Sequence, residues 1–541
     1  MEIWEMKKMA CLLSAAAVLS VQAVSGEDAK MEWPISATVA VEAHTVLKMA
    51  NVFSDNMVLR RDVEVPIWGW ALPGKTVTVS FKGQKVSAVA DLDGKWLLKL
   101  APMKADANGA EMEIKTAGER TVVKNILVGE VWLCSGQSNM QFSLREVPDG
   151  DKQVAAAKHP QIRLLTINSP PSDIPVDDIL AADKWQVCDP DSVAYFSAIG
   201  YFFGREISEK LNVPVGLIDN ARGGTLAEAW TSYEGIKAEK ALNVIFDRHL
   251  KLMEKEGFDK RVVQWQKDLD TWNSFSVEKR REWPVIKNWW RKIGLPYGYP
   301  GNSDAPSWLF NALVNPLIPY AISGVIWYQG ETNVPRGKEY GTLFPALIND
   351  WRKCWNQGDF PFFFVQIAPC HEFAEFNLTD LWTSQYKTAK TIKNCGMVSP
   401  IDIGDFSDPH PKRKEPIGKR LAALALAETY GKTGIAFRSP SFKEMRVEGN
   451  KIRVSFSDVS AQGLVSRDGK PLSWFEIAGQ DGKYYPATAV IDGAAVVVAS
   501  SEVSNPFSIR FSWNNAAEPN LSDKNGLPVL PFPSEELMRG K

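Results

Sequence analysis

From Val46 to Asn125 apolar and polar residues alternate in short runs, including Glu64-Val-Pro-Ile-Trp-Gly, Thr76-Val-Thr-Val-Ser-Phe and Asp93-Gly-Lys-Trp-Leu-Leu-Lys-Leu. Gly and Pro punctuate them, as in Pro73-Gly-Lys. Period two with such breaks predicts antiparallel β structure, a small sandwich over 46–127. Near Ile126 the pattern changes. Short apolar runs (Val131–Cys134, Val215–Ile218, Gly324–Tyr328, Phe362–Ile367, Met397–Ile403) alternate with segments of helical period. In one of these Ile199, Phe203, Ile207 and Leu211 recur every four residues; others lie around Leu343–Trp351, Leu381–Ile392 and Ile417–Tyr430, the last closed by Gly431. Strand and helix in alternation predict a parallel sheet covered on both faces over 128–434, with binding sites past the carboxyl ends of its strands. A charged, Trp-rich stretch over 233–306 interrupts this domain and is expected to be helical, ending in an irregular loop that caps the site. Period two returns from Ile435, in Lys451-Ile-Arg-Val-Ser-Phe and Ala494-Ala-Val-Val-Val-Ala, so a second small β domain is expected over 435–541.

The first 25 residues fit neither pattern. Lys7-Lys8 precede an apolar run from Met9 to Val24, with Val21-Gln22-Ala23 as a small-residue cleavage site. A secretory leader is expected, hence a secreted or periplasmic protein, and Glu2 and Glu5 suit the positive leader so poorly that Met6 is the better start. No other stretch is apolar over about 18 residues, so no transmembrane span is expected.

Composition narrows the partners. The chain has 541 residues, is 45% apolar and carries 62 basic against 64 acidic side chains, a net charge of −2. That leaves no basic field for nucleic acid or an anionic membrane and favours small molecules or neutral polymers. Twenty Trp residues suit packing and some sugar stacking. Without Cys11 the remaining five cysteines are widely spaced with no C-x-x-C, so buried free thiols are expected rather than a disulfide scaffold or zinc ribbon.

No P-loop, no G-x-G-x-x-G after a strand, no H-E-x-x-H and no G-x-S-x-G occurs. Three strands nevertheless end in reactive or donor groups: Ser135-Gly-Gln-Ser-Asn-Met, Ala221-Arg-Gly-Gly-Thr and Gln329-Gly-Glu-Thr-Asn. A serine nucleophile needs a base, and only five histidines exist. His44, His159 and His249 read as surface residues. His371 and His410 each follow a strand, and His410, in Asp402-Ile-Gly-Asp-Phe-Ser-Asp-Pro-His-Pro, lies among acids. A nucleophile, a base, an acid and fixed donors are the set that acyl transfer requires.

These motifs resemble the sialate O-acetylesterase family, SGNH-type hydrolases related to acetylxylan esterases. The likeness spans nearly the whole mature chain, and G-Q-S-N-M followed by W-Y-Q-G-E carries it. It implies an α/β three-layer domain with a parallel central sheet, flanked by β-sandwich-like domains, and a serine esterase with no cofactor. Ser138 would be the nucleophile rather than Ser135, and His410 the base. The oxyanion donors would be the Ser138 and Gly224 N–H groups and the Gln329 amide. In the wider fold the orienting acid stands three residues before the histidine, where this chain has Ser407. Glu331 is favoured over Asp408, because a one-residue shift in a tight loop turns a side chain away. Arg222, with Arg145 second, is the candidate for a sialic acid carboxylate. The expected partner is an O-acetylated sialoglycan or another acetylated carbohydrate. A glycan-binding module, or a glycoside hydrolase pairing Glu331 with Asp408, is the competing class.

Overall fold

The computed structural model describes residues 46–276, 302–460 and 463–534, together with Lys279 and Lys292. The expected leader, His44, and Trp283, Trp289 and Trp290 of the insertion lie outside the described residues.

The long strand Arg120–Gly136 organises the molecule. Its first half pairs antiparallel with Asp106–Lys115 and parallel with Val58–Arg60, in the leading β region. Its second half pairs parallel with Val215–Asp219 on one side and Gly324–Tyr328 on the other. The central sheet runs in the order Gln186–Cys188, His159–Thr166, Val215–Asp219, Arg120–Gly136, Gly324–Tyr328, Phe362–Val365, Cys395–Val398. All neighbours in it are parallel except the edge strand Gln186–Cys188. The strand expected over Val131–Cys134 is therefore far longer and carries the chain from the leading β region into the central sheet without a linker.

The two faces of the sheet separate by the period of two. Trp132 and Phe363 stack at 6.0 Å, and Trp132 packs edge-on against Phe203 of helix Ala198–Leu211 at 4.9 Å. Phe362 and Phe364 project the other way, against Phe344 of helix Gly337–Trp355, at 6.0 and 4.9 Å. Burial on both faces is why these strands read as unbroken apolar runs. Helix Lys414–Glu428 packs on Ala198–Leu211 closely enough that a Cβ on Gly418 would lie 2.7 Å from the Phe202 Cβ. Helix Leu378–Thr391 packs on Gly337–Trp355.

The leading β strands share one core with the central domain. Phe53, Trp68, Trp185 and Tyr320 meet at 4.6–6.4 Å across that junction, and the Tyr320 hydroxyl donates to the Val58 carbonyl at 2.7 Å. The last β region keeps its own core, in which Ile452, Val454, Val496 and Val498 of one four-stranded antiparallel sheet face Phe475, Ile477, Ile509 and Phe511 of a second. Two strands of the central sheet have no counterpart in the hydrophobic pattern. His159–Thr166 and Gln186–Cys188 lie in what reads as a polar loop, because His159-Pro-Gln opens one and the other is only three residues long.

Where described, the insertion forms the helices Tyr233–Ala238, Asn243–Leu252 and Lys255–Ser274, and residues 302–306 are irregular. Trp265 and Trp272 on the last of these are half-buried. Among the described residues five cysteines are free thiols, of which Cys134, Cys188 and Cys370 are buried as expected and Cys354 and Cys395 are half-buried. Among the described residues no helix is long and apolar enough to cross a membrane.

Candidate active site

Chain order reverses across the central sheet at the strand Arg120–Gly136, which leaves a crevice at its carboxyl end. Gly136 closes that strand at φ 130°, and a Cβ there would fall 2.2 Å from the Tyr328 carbonyl oxygen. Only glycine allows this approach. The chain then turns into the short helix Ser138–Gln141, with Ser138 partly exposed at its first position and the Gln137 N–H tied to the Tyr328 carbonyl at 2.8 Å. Ser135, by contrast, is fully buried within the strand.

His410 Nε2 stands 2.8 Å from the Ser138 Oγ, and His410 Nδ1 stands 2.8 Å from Asp408 Oδ1. The same carboxylate oxygen accepts the backbone N–H of His410 at 2.9 Å. This is an Asx turn, in which a carboxylate folds over the residue two ahead of it. The turn before it is set by Asp405, whose Oδ1 accepts the Ser407 N–H at 2.9 Å and the Ser407 hydroxyl at 2.7 Å. Ser407 is thereby held outward and Asp408 is brought against the imidazole. Bonding to the histidine holds the Asp408 carboxyl below its ordinary range against the opposing effect of partial burial.

The structure brings Asp408, not Glu331, against His410. The expectation for Glu331 assumed that a one-residue shift reverses a side chain, as along a strand, and the Asx turn removes that premise. Glu331 instead accepts Asn139 Nδ2 at 2.5 Å, and its Oε2 is sealed from solvent without a hydrogen-bond partner, although the residue as a whole is partly exposed. Desolvation raises its carboxyl above the ordinary range.

Gly223 and Gly224 follow the strand Val215–Asp219. A Cβ on Gly223 would lie 3.4 Å from the Ser138 Cβ, so this loop borders the serine. The Gly223 N–H donates to Gln141 Oε1 at 2.9 Å, whereas the Ser138 and Gly224 N–H groups are not taken by any bond among the described residues. A free N–H on Ser138 itself and another on the next residue of the bordering loop suit a developing oxyanion. Gln329 is placed differently. Its Nε2 donates to the Thr225 carbonyl at 3.0 Å and to Asn333 Oδ1 at 2.7 Å, and the side chain is fully buried. Both amide hydrogens are committed, so Gln329 braces the glycine loop rather than facing the serine. Asn333 in turn donates to Glu228 at 2.9 Å, which links the W-Y-Q-G-E-T-N and G-G-T-L-A-E-A-W motifs as one buried network.

The family of sialic acid-specific acetylesterases, a group of carbohydrate esterases, matches residues 128–265 and 307–427, the span that holds Ser138, Gly224, Asp408 and His410. A solved carbohydrate acetylesterase from Xanthomonas citri is 30% identical, with a TM-score of 0.74 over 90% of this chain and 99% of that one. The chain belongs to this esterase family. Sialate O-acetylesterases of mouse and human are 28% and 25% identical, over 76% and 90% of this chain and 79% and 92% of theirs. The family match skips 266–306, within the Trp-rich insertion.

The remaining candidates of this esterase lie at different depths. Arg222 is half-buried directly before the glycine loop, and its Nη2 donates to the Ser169 carbonyl at 2.8 Å. Burial lowers its pKa from the ordinary arginine value. Arg145 is exposed, stacked on Tyr195 at 5.2 Å with a 3.0 Å bond to its hydroxyl. His371 is also exposed, with its ring against Phe406. His159 is half-buried, with Nε2 3.2 Å from the Tyr201 hydroxyl. No group of three or more His, Cys, Asp or Glu side chains among the described residues is disposed to hold a metal ion.

Two site residues escaped the sequence reading. Asn139 stands inside the quoted G-Q-S-N-M, so its position was visible and its role was not. Lys414 lies in the charge run Lys412-Arg-Lys-Glu, whose composition carries no mark of a buried site, yet its side chain is fully buried.

Proposed function

We propose that this esterase is a secreted enzyme that removes O-acetyl groups from sialic acids through a serine acyl-enzyme. The observation that carries the reading is the unbroken line from Ser138 Oγ to His410 Nε2 and from His410 Nδ1 to Asp408 Oδ1, 2.8 Å at each step. The Asp408 carboxylate keeps the proton on Nδ1, which leaves Nε2 free to accept the serine proton. Ser138 Oγ attacks the acetyl carbonyl while the Ser138 and Gly224 N–H groups hold the oxyanion, and His410 then passes its proton to the departing sugar oxygen. Water, deprotonated by His410, releases acetate and restores the serine. No metal or cofactor is needed for these steps.

The sialate substrate is supported by the family and by the names of the mammalian relatives. Arg222, next to the glycines that border Ser138, is suited to a sugar carboxylate, and Arg145 offers a second cation at the exposed rim. The leader-like first 25 residues support secretion.

The test is to supply O-acetylated mucin and acetylated xylan in parallel and to measure acetate and reducing sugar from each. Acetate from mucin, with no reducing sugar, is expected. Acetate from xylan alone would move the substrate to a polysaccharide, and reducing sugar would indicate a glycosidase pairing of Glu331 with Asp408. Ser138→Ala should abolish release of acetate. Retained esterase activity in that variant would refute the serine mechanism.

A further inference from the structure

The residue after the nucleophile joins the two halves of the catalytic line. Asn139 is fully buried, and its Nδ2 donates to Glu331 Oε1 at 2.5 Å and to the carbonyl of Pro409 at 2.9 Å. Its Oδ1 accepts from Lys414 Nζ. Pro409 sits between Asp408 and His410, so one side chain reaches from the serine's turn to the histidine's loop. Lys414 opens the helix Lys414–Glu428 and lies over the rings of Phe142 and Tyr328, at 4.6 and 5.6 Å.

An amide is nearly symmetric in shape, and a lone Asn can present either its oxygen or its nitrogen to a neighbour. An ammonium has donors and no acceptor, while a carboxylate only accepts, so Glu331 dictates the amide's orientation even where Lys414 is neutral. With Lys414 on one side and Glu331 on the other, the Asn139 amide has one permitted orientation, and in it an N–H faces Pro409. Burying an ammonium and a carboxylate around one amide is a poor way to stabilise a core, since apolar residues of like volume do as well or better. Their position beside the reacting pair gives the arrangement a different purpose.

Resting on the serine mechanism above, we propose that Asn139 is a positioning residue whose amide, oriented by Lys414 and Glu331, fixes the His410 loop at hydrogen-bonding distance from Ser138. None of the three touches the acyl group. Their effect passes through the separation of Ser138 Oγ and His410 Nε2, where an error of about 1 Å reduces rate roughly 10²-fold.

The experiment compares Asn139→Leu, Lys414→Met, their combination and Glu331→Gln with the unaltered protein. Three readouts are used: kcat and KM on a chromogenic acetate ester, the rate at which a fluorophosphonate labels Ser138, and the thermal midpoint. Active-site titration expresses kcat per folded enzyme. Expected are parallel losses of about 10–100-fold in kcat and labelling rate with KM within about twofold, and a double variant no worse than Asn139→Leu alone, because the residues act as a unit. Unaltered kcat per titrated site with a lowered midpoint would mean that the cluster is only structural and would overturn the proposal. Losses that multiply in the double variant would overturn it too. Should Asn139→Leu fail to fold, Glu331→Gln, which keeps the shape and removes the charge that dictates orientation, decides alone: a kcat loss of about tenfold supports positioning and an unaltered kcat refutes it. The outcomes separate from those for the mechanism, because an active Ser138→Ala refutes the serine reading, whereas an inactive Ser138→Ala with unaltered kcat in these variants refutes only the positioning.

Discussion

Asp408 Oδ1 holds His410 twice, through Nδ1 at 2.8 Å and through the backbone N–H at 2.9 Å. One oxygen therefore sets both the tautomer of the imidazole and the shape of the loop that carries it. Asp408→Asn should keep the turn, since the amide oxygen still accepts the N–H, but it no longer compels a proton on Nδ1. A fall in kcat of about 10⁴-fold with little change in thermal midpoint is expected. Glu331→Gln, which bonds Asn139 and makes no hydrogen bond to His410 among the described residues, should lose about tenfold. Steady-state kinetics on both variants rank the two carboxylates, and a larger loss at Glu331 would overturn the assignment of Asp408.

Gly224, whose N–H bonds to no group among the described residues, adopts φ 74°, a left-handed conformation that a side chain disfavours. Gly224→Ala should rotate this N–H away from the oxyanion. The expected loss is about 10²–10³ in kcat with KM little changed. Binding of a phosphonate that mimics the tetrahedral intermediate should weaken in step, which isothermal titration can measure.

Gln329 should behave as a structural residue. In Gln329→Leu the buried Thr225 carbonyl loses its donor, while Asn333 Oδ1 keeps the Ala227 N–H at 2.9 Å. Urea denaturation should show a destabilisation of about 1–3 kcal/mol. A stable variant that had lost 10² or more in kcat would return Gln329 to the oxyanion site.

Burial pulls the Lys414 ammonium down to about 7, from about 10.4 for an unperturbed lysine. Between those values the unfolded chain binds the extra proton, so stability rises with pH, by at most about 1.4 kcal/mol per pH unit from this group. Below pH 7 both states are protonated and the slope vanishes. Urea midpoints of the parent and Lys414→Met at pH 6, 8 and 9.5 should therefore diverge, with the parent gaining on the variant as pH rises. Parallel midpoints would mean that Lys414 is charged throughout this range.

Much of the architecture was legible because its cause is local. Gly324–Tyr328 has the same bounds in sequence pattern and structure, and of Ile199, Phe203, Ile207 and Leu211, which recur every four residues, the first three are buried on one helix face and Leu211 is half-buried. The sequence divides the strand Arg120–Gly136, because its first half carries exposed Arg120, Thr121, Lys124 and Asn125 while Ile126–Gly136 is buried throughout, and only pairing with two different regions makes it continuous. His159–Thr166 was missed because an opening Pro and polar residues give it the composition of a loop.

The order of residues by itself determined the parallel sheet, the three strand ends with reactive groups and the esterase family, and it singled out Ser138 and His410 as candidates. Periodicity and turn residues act over a few positions, and G-Q-S-N-M and W-Y-Q-G-E are contiguous. Tertiary structure alone decided that Asp408 backs His410, that Gln329 braces a loop, and that Asn139, Lys414 and Glu331 meet. Those assignments depend on which hydrogen bonds remain open once loops from distant parts of the chain converge. Asn139 and Pro409 are 270 positions apart in the chain and one hydrogen bond apart in the fold.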